Sequence, residues 1–167
     1  VPLAETVAAF EALRNEGLIR SWGVSNFDVN LMEELWRIPG GSNCVTNQVL
    51  YNIASRGIEY DLLPWTRAHN LSIMAYTPLA GESQWQRQIE SSRALPEVAA
   101  RHNATIQQIM LAFVMRHEGM SAIPKSSKIG HIADNVASLE IQLTADDLTL
   151  LDRDFPPPTR KVRLATG

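Results

Sequence analysis

Gly23-Val24-Ser25-Asn26-Phe27 stands where a short apolar run ends and a helix with its own capping residue, Asp28, begins. The arrangement returns at Asn47-Gln48, at Ala75-Tyr76-Thr77-Pro78-Leu79 and at Ile123-Pro124-Lys125-Ser126-Ser127, each where a strand-like segment runs out. Polar groups collected at the carboxyl ends of successive strands are how a parallel α/β protein builds a ligand site. The chain therefore reads as an α/β protein that handles a nucleotide.

Working outward, residues 6–16 carry Val7, Ala8, Phe10, Ala12 and Leu13 close to helical spacing, and Gly17 supplies the stop. Residues 19–24 read as a strand, and Asp28 caps a helix through Arg37 with Leu31, Leu35 and Trp36 on or near its inner face. Pro39-Gly40-Gly41 ends that helix, residues 45–50 form the next strand, and residues 60–70 a helix that tolerates Pro64 only in its first turn. Residues 71–76 have the apolar character and length of a buried strand. Between Pro78 and Ser92, Gly81-Glu82-Ser83-Gln84-Trp85-Gln86 shows no periodicity and is expected to be a functional loop over a site.

A helix is predicted over 94–102, followed by one opened by the capping-box pair Thr105 and Gln108 ahead of Ile109, Leu111, Ala112, Phe113 and Met115. Residues 120–124 form the last strand and 129–137 a helix. Thr144 with Asp147 caps a final helix ending near Arg153, and Pro156-Pro157-Pro158 enforces an extended tail over 154–167. Strand followed by helix thus recurs at spacings suited to right-handed crossovers, and four such units are half of an eightfold barrel. An open flavodoxin-like sheet is the other reading, but no Gly-rich phosphate loop follows the first strand.

With 167 residues, 45% of them hydrophobic and 20% charged, the chain suits one domain around one core. A net charge of −3 offers no basic face for nucleic acid. No run approaches the roughly 20 apolar residues of a membrane span, and the first residues lack a signal-peptide pattern. The expectation is a cytoplasmic protein with neither nucleic acid nor membrane as partner. The single Cys44 forms no internal disulfide and reads as a small buried apolar side chain rather than a nucleophile. The chain opens without methionine inside a helical pattern, which suggests a cut edge.

Gly17-Leu18-Ile19-Arg20-Ser21-Trp22-Gly23-Val24-Ser25-Asn26-Phe27, Asn47-Gln48-Val49-Leu50-Tyr51-Asn52, Ala75-Tyr76-Thr77-Pro78-Leu79 and Ile123-Pro124-Lys125-Ser126, in this order and spacing, resemble the second-half signatures of the aldo-keto reductases. Members of that family are (β/α)8 barrels that reduce aldehydes and ketones with NADPH. The resemblance covers the whole chain, and Ala54-Ser55-Arg56-Gly57-Ile58-Glu59-Tyr60-Asp61-Leu62-Leu63-Pro64-Trp65 is similar to the bacterial methylglyoxal reductase branch. It implies a TIM barrel of which this chain supplies strands 5–8, a single domain over 1–167, NADPH as cofactor with NADH not excluded, and a small carbonyl substrate.

The resemblance also implies roles residue by residue. Ser25, Asn26 and Gln48 correspond to side chains that hydrogen-bond the nicotinamide carboxamide, whose donors and acceptors they complement; read locally, Ser25 and Asn26 also suit capping of the next helix. Tyr76 corresponds to an aromatic stacked on the nicotinamide, a contact of about 1 kcal/mol beyond burial, with core packing as its other reading. Thr77, Pro78 and Leu79 would lie along the pyrophosphate, and Lys125 and Ser126 would hold the adenosine 2′-phosphate, a cation and a hydroxyl answering a dianion.

His131 stands where many members carry Arg, and Asp134 and Asn135 stand where Glu and Asn are typical and reach the adenine amine. A neutral imidazole grips phosphate less firmly than a guanidinium, so the preference for NADPH over NADH is weakened; otherwise His131 is an exposed helix residue with no ligand. His69, His102 and His117 fall near predicted helix C-termini, where a cation suits the dipole, and no metal-ligand spacing links them. Trp85 reads either as pocket lining or as a packing anchor.

Family catalysis uses a Tyr general acid with Lys, Asp and His, all from the first half of the barrel, and none of the four maps onto this chain. The expectation is a cofactor-holding half, catalytically incompetent alone, that needs the missing amino-terminal half or associates with itself through exposed edges. A non-catalytic half barrel acting as a nucleotide-binding or assembly module is the alternative.

Overall fold

The computed structural model describes residues 1–81 and 84–166; Glu82 and Ser83, within the expected site loop, lie outside the described residues. Four parallel strands, β1 (Val24–Ser25), β2 (Thr46–Leu50), β3 (Ser72–Tyr76) and β4 (Met120–Ala122), lie side by side in chain order. An order without reversal has no topological switch point, so the sheet is not doubly wound and the flavodoxin-like reading is set aside. It is the order in which barrel strands follow one another.

Helices follow the strands as the sequence implies. α1 (Leu3–Asn15) stops at Gly17, whose φ of 74° needs a residue without a side chain. α2 (Val29–Arg37) is capped by Asp28, which accepts from the Leu31 amide at 3.0 Å. Its buried residues are Met32 and Leu35, while Leu31, expected inside, is exposed. α3 (Leu62–Ala68) keeps Pro64 in its first turn, where no intrahelical amide bond is lost. α4 (Gln86–Ser91) lies in the stretch expected to be irregular. α5 (Ala94–Arg101), α6 (Ile106–Met115), α7 (Ile129–Ala137) and α8 (Ala145–Asp154) complete the set, with both sequence-read capping boxes formed on α6 and α8. Beyond α8, Phe155 is buried and residues 156–166 carry no helix or strand. No helix among the described residues is long and apolar enough to cross a membrane.

β1 is shorter than the strand predicted over 19–24, because the amides of Leu18 and Ile19 turn back to the Leu13 carbonyl and hold that segment against the end of α1. Where the chain does reach the sheet, a Cβ on Gly23 would sit 2.6 Å from the Thr46 carbonyl oxygen, so the close approach of β1 to β2 requires glycine. Along β2 and β3, Asn47, Val49, Ile73 and Ala75 are buried against the helices, with Leu35, Leu62, Ile109 and Phe113 in the same core. Thr46, Gln48, Ser72, Met74 and Tyr76 alternate with them and are half-buried on the opposite face. The strand at 72–76 is therefore covered on one face only, not on both as its apolar run suggests.

Charged side chains on the helices form a second tier. Asp147, on the first turn of α8, accepts from His102 at 2.8 Å, from Arg101 at 3.1 Å and from the Thr144 hydroxyl at 2.7 Å. Burial opposes its charge, yet these bonds prevail and hold the carboxyl well below the usual carboxylate range. His117, read from sequence as a cation at a helix end, is instead pushed down to about 4 by burial and by the nearby Arg116 and Arg67, so it is neutral in the folded chain near pH 7. Both groups make acid destabilising. The unfolded imidazole takes up a proton near pH ~6.5 and the unfolded aspartate near ~3.9, each above its folded value. Stability is thus expected to decline from about pH 6.5 downward, first through His117 and then, below about pH 4, through Asp147 as well. Urea titrations at pH 7, 5 and 3.5 check this. Asp147→Asn is expected to lower stability at pH 7 by about 2 kcal/mol and to flatten the acid limb below pH ~4; an unchanged acid slope would contradict the assignment.

Candidate functional site

The carboxyl ends of β1, β2 and β3 meet at one edge of the sheet. Register pairs Ser25 with Gln48, Gln48 with Met74, and Leu50 with Tyr76. The Asn26 amide donates to the Gln48 carbonyl at 2.8 Å, the Ser25 hydroxyl donates to the same carbonyl at 3.0 Å, and the Tyr76 hydroxyl donates to Asn26 Oδ1 at 3.1 Å. Gln48 Nε2 faces the Met74 sulfur at 3.1 Å, a weak acceptor. The structure thus brings Ser25, Asn26, Gln48 and Tyr76 together. Asn26 and Thr77 have φ of 59° and 53°, left-handed conformations at the ends of β1 and β3 that side chains other than glycine adopt at a cost. Asp28, not Ser25 or Asn26, is the side chain that caps α2, which settles the local alternative for those two.

Two buried asparagines set this geometry: Asn47, read from sequence as a strand-end polar group but buried on the helix side of the sheet, and Asn52, given no role from sequence. Asn47 donates from Nδ2 to the Phe27 carbonyl at 2.7 Å and accepts from the Phe27 amide at 3.4 Å, clamping the turn after β1. Asn52 accepts from the Ala54 and Ser55 amides at 3.0 and 2.8 Å and donates to the Thr77 carbonyl at 3.2 Å, tying the turn after β2 to the turn after β3. Strand alternation carried a signal for the first: Asn47 falls on the same face as Val49, where an amide is buried and must find partners.

Beyond β4, a cavity of about 270 Å³ is lined by Leu79, Lys125, Ser126, His131, Asp134 and Asn135, together with Thr105 and Gln107 from the start of α6. Six of these eight are sequence-predicted site residues; Thr105 and Gln107 are not. Among the described residues the side chains of Lys125, His131, Asp134 and Asn135 have no hydrogen-bond or ion-pair partner, whereas Ser126 Oγ accepts from the Lys128 amide at 3.1 Å. The first turn of α7, which follows them, carries no side-chain cap. A lysine and an imidazole on one cavity suit an anion, and the Asp134 and Asn135 groups add acceptors and donors for a polar ring. Thr77 and Pro78 lie between the two clusters along the chain, with the Ala80 amide closing a turn onto the Thr77 carbonyl at 3.0 Å.

A further cavity of about 270 Å³ lies between the turn after β2 and the tail, with Trp85, Ser55 and Leu164 among its walls. Trp85 is half-buried against the core there, so it both packs and lines. The Tyr51 phenol is fully buried, donates to Glu59 at 2.6 Å and accepts from Arg116 at 2.7 Å, and burial raises its pKa well above the ordinary phenol range. A phenol held in this way is no proton donor for chemistry at the strand ends.

A parallel α/β sheet in chain order, with polar side chains gathered at its strand ends, is the architecture of a barrel-forming α/β protein. The sequence pattern of the aldo/keto reductase family matches residues 1–153, and the chain belongs to that family. It is 47% identical over 160 residues to methylglyoxal reductase YeaE of Escherichia coli K12, covering 96% of this chain and 56% of that protein. It superposes with a TM-score of 0.95 and 49% identity on the crystal structure of an aldo/keto reductase from Klebsiella pneumoniae in complex with NADP and acetate, over 100% of this chain and 59% of that one. A thermostable aldo-keto reductase, Tm1743, in complex with the inhibitor epalrestat superposes at 0.81 with 37% identity over 92% of this chain and 55% of its own. The chain thus spans little more than half the length of the relatives it matches.

Because Asn47 is fully buried and serves both polar groups of Phe27, Asn47→Ala is expected to destabilise the fold by about 2 kcal/mol and to free the turn carrying Ser25 and Asn26. Thermal unfolding and amide exchange at residues 25–27 check this; protection retained there would show that the clamp is dispensable.

Proposed function

We propose that this chain, residues 1–167 as one domain with a tail from 154, is the cofactor-holding half of an NADPH-dependent carbonyl reductase and supplies the last four strands of an eight-stranded barrel. The observation that carries the reading is the cavity beyond β4, where Lys125, His131, Asp134 and Asn135 converge without partners among the described residues. Four such groups, drawn from the segment after β4 and from α7 and facing one concave space, suit a ligand that carries both phosphate and a polar ring. The donor set fits a nucleotide with an extra phosphate: Lys125, Ser126, His131 and the uncapped start of α7 on the 2′-phosphate side, Asp134 and Asn135 on the adenine side. The complexes of the Klebsiella pneumoniae relative with NADP and NADPH support the same cofactor.

When bound, such a cofactor supplies a hydride to a carbonyl carbon. The chain's own residues bind and orient. Ser25, Asn26 and Gln48 present hydroxyl and carboxamide groups to the nicotinamide amide, Tyr76 offers a ring face held by its bond to Asn26, and Thr77, Pro78 and Leu79 lead the chain from that end to the phosphate end. Neither Tyr51, locked in the core, nor Tyr76, whose hydroxyl is engaged with Asn26, is free to act as the general acid. The proton donor comes from the complementary half of the barrel, and this chain alone binds without turnover. The substrate class is small aldehydes and ketones of the methylglyoxal type, in keeping with the Escherichia coli relative. The free outer edges of β1 and β4 favour pairing with that half, or with a second copy in its absence.

Fluorescence titration of NADPH and NADH, with methylglyoxal turnover read in parallel for this chain and for the full-length reductase, tests the reading. This chain is expected to bind NADPH without turnover. His131→Arg is expected to tighten NADPH by about tenfold, or ~1.4 kcal/mol, through a charge-assisted fork on phosphate, and Lys125→Met to weaken it by a similar factor, with NADH moved little by either. Absence of NADPH binding, or equal shifts for both nucleotides, would overturn the assignment.

A further inference from the structure

Gln107 and Gln108 are adjacent on the first turn of α6 and differ in what they touch. Gln108 is fully committed: Oε1 accepts from the Thr105 amide at 2.9 Å and from its hydroxyl at 3.2 Å, while Nε2 donates to the Asp134 carbonyl at 3.2 Å. That last bond pins the start of α6 to α7. Gln107 is exposed, lines the same cavity as Asp134 and Asn135, and its carboxamide has no partner among the described residues. The Gln108 bond holds the start of α6 beside α7, and the Gln107 carboxamide is left available to an occupant of the cavity.

We propose that Gln107 reads the nucleobase of the bound dinucleotide and makes this site selective for adenine over a 6-oxopurine. The inference rests on the cofactor reading above. Adenine presents its N6 amino donor beside the N7 acceptor, and a carboxamide answers both at once, oxygen to N6 and nitrogen to N7. Hypoxanthine presents O6 and N7, two acceptors, so the same carboxamide makes one bond and sets its oxygen against O6. Asp134 adds to the bias, because an ionised carboxylate only accepts and is repelled by an oxo group. Lys125, Ser126 and His131 sit in the same cavity but answer a phosphate, which both purine nucleotides share.

The test is fluorescence titration of this chain and of its Gln107→Ala variant with NADPH and with reduced nicotinamide hypoxanthine dinucleotide phosphate, which differs only in the base. Alanine on an exposed helical turn favours the helix, so the variant retains the fold. The unaltered chain is expected to prefer the adenine nucleotide by about tenfold, and the variant by about twofold, the loss of one bidentate base contact. General damage to the site moves both ligands together and leaves the ratio unchanged, so the ratio reports on Gln107 alone. NADPH binding with the same ratio in both proteins overturns this inference and leaves the cofactor reading standing. If neither ligand binds the unaltered chain, the cofactor reading fails and this inference with it.

Discussion

The guanidinium of Arg56 joins parts of the molecule that the sequence keeps far apart. Its Nε and Nη2 donate to Glu59 at 3.0 and 2.8 Å, and its Nη1 donates to Asp152 at 2.6 Å and to the carbonyl of Phe155, 99 positions along the chain. Glu59 in turn accepts from Tyr51 at 2.6 Å and from Arg116 at 2.8 Å, and Arg116 lies over the Phe113 ring. Burial opposes the charge on both Arg56 and Glu59, but the reciprocal bonds prevail, raising the first pKa and lowering the second. With the Arg56 side chain only 7% exposed, removing one partner leaves a buried charge uncompensated, a loss of about 3–5 kcal/mol. This one cluster fixes the turn after β2, the end of α6 and the end of α8 relative to one another. Through α6 it reaches the cavity beyond β4, since the far end of that helix carries Thr105 and Gln107 and is pinned to α7 by Gln108.

The interior and the cavity beyond β4 treat polar groups in opposite ways. Inside, Arg56, Glu59, Asn47, Asn52 and Asp147 are bonded on nearly every available atom, as buried polar groups must be. In the cavity beyond β4, Lys125, His131, Asp134, Asn135 and Gln107 are left without partners among the described residues. Positive φ at Asn26, Thr77 and Ala80 belongs to the strand ends: the backbone is held in costly conformations where it turns out of β1 and β3, and the buried amides of Asn47 and Asn52 are what hold it there.

Much of this was legible in the sequence because local rules and fold agree there. Asp28, Thr105 with Gln108, and Thr144 with Asp147 were readable as caps, and each forms in the structure. The cavity beyond β4 gathers six residues that motif position alone had marked. What was not legible depends on contacts distant in sequence. Helix α4 hides in a polar stretch whose exposed side chains give no periodic signal, for none of its residues is buried. Leu31 and Met32 both fit an amphipathic reading, and only the position of the sheet decides between them. The Arg56 cluster spans residues 51–155 and has no local pattern, and Gln107 is set apart from Gln108 only by which of the two the capping box engages.

The sheet's outer edges complete the physical picture. Helix α7 has no buried residue, yet Ile129, Ile132 and Val136 stand exposed on it and Leu139 just beyond, and an apolar helix face without cover is unusual in a chain that is its own partner. Beside it the free edge of β4 opens onto an apolar cavity of about 490 Å³ between α6 and α7, with Leu111, Met115 and Ala122 in its walls. Gln48, Met74 and Tyr76, on the sheet face away from the helices, are likewise only half-buried. Ser126 and Asn135 line both this apolar cavity and the polar one beside it.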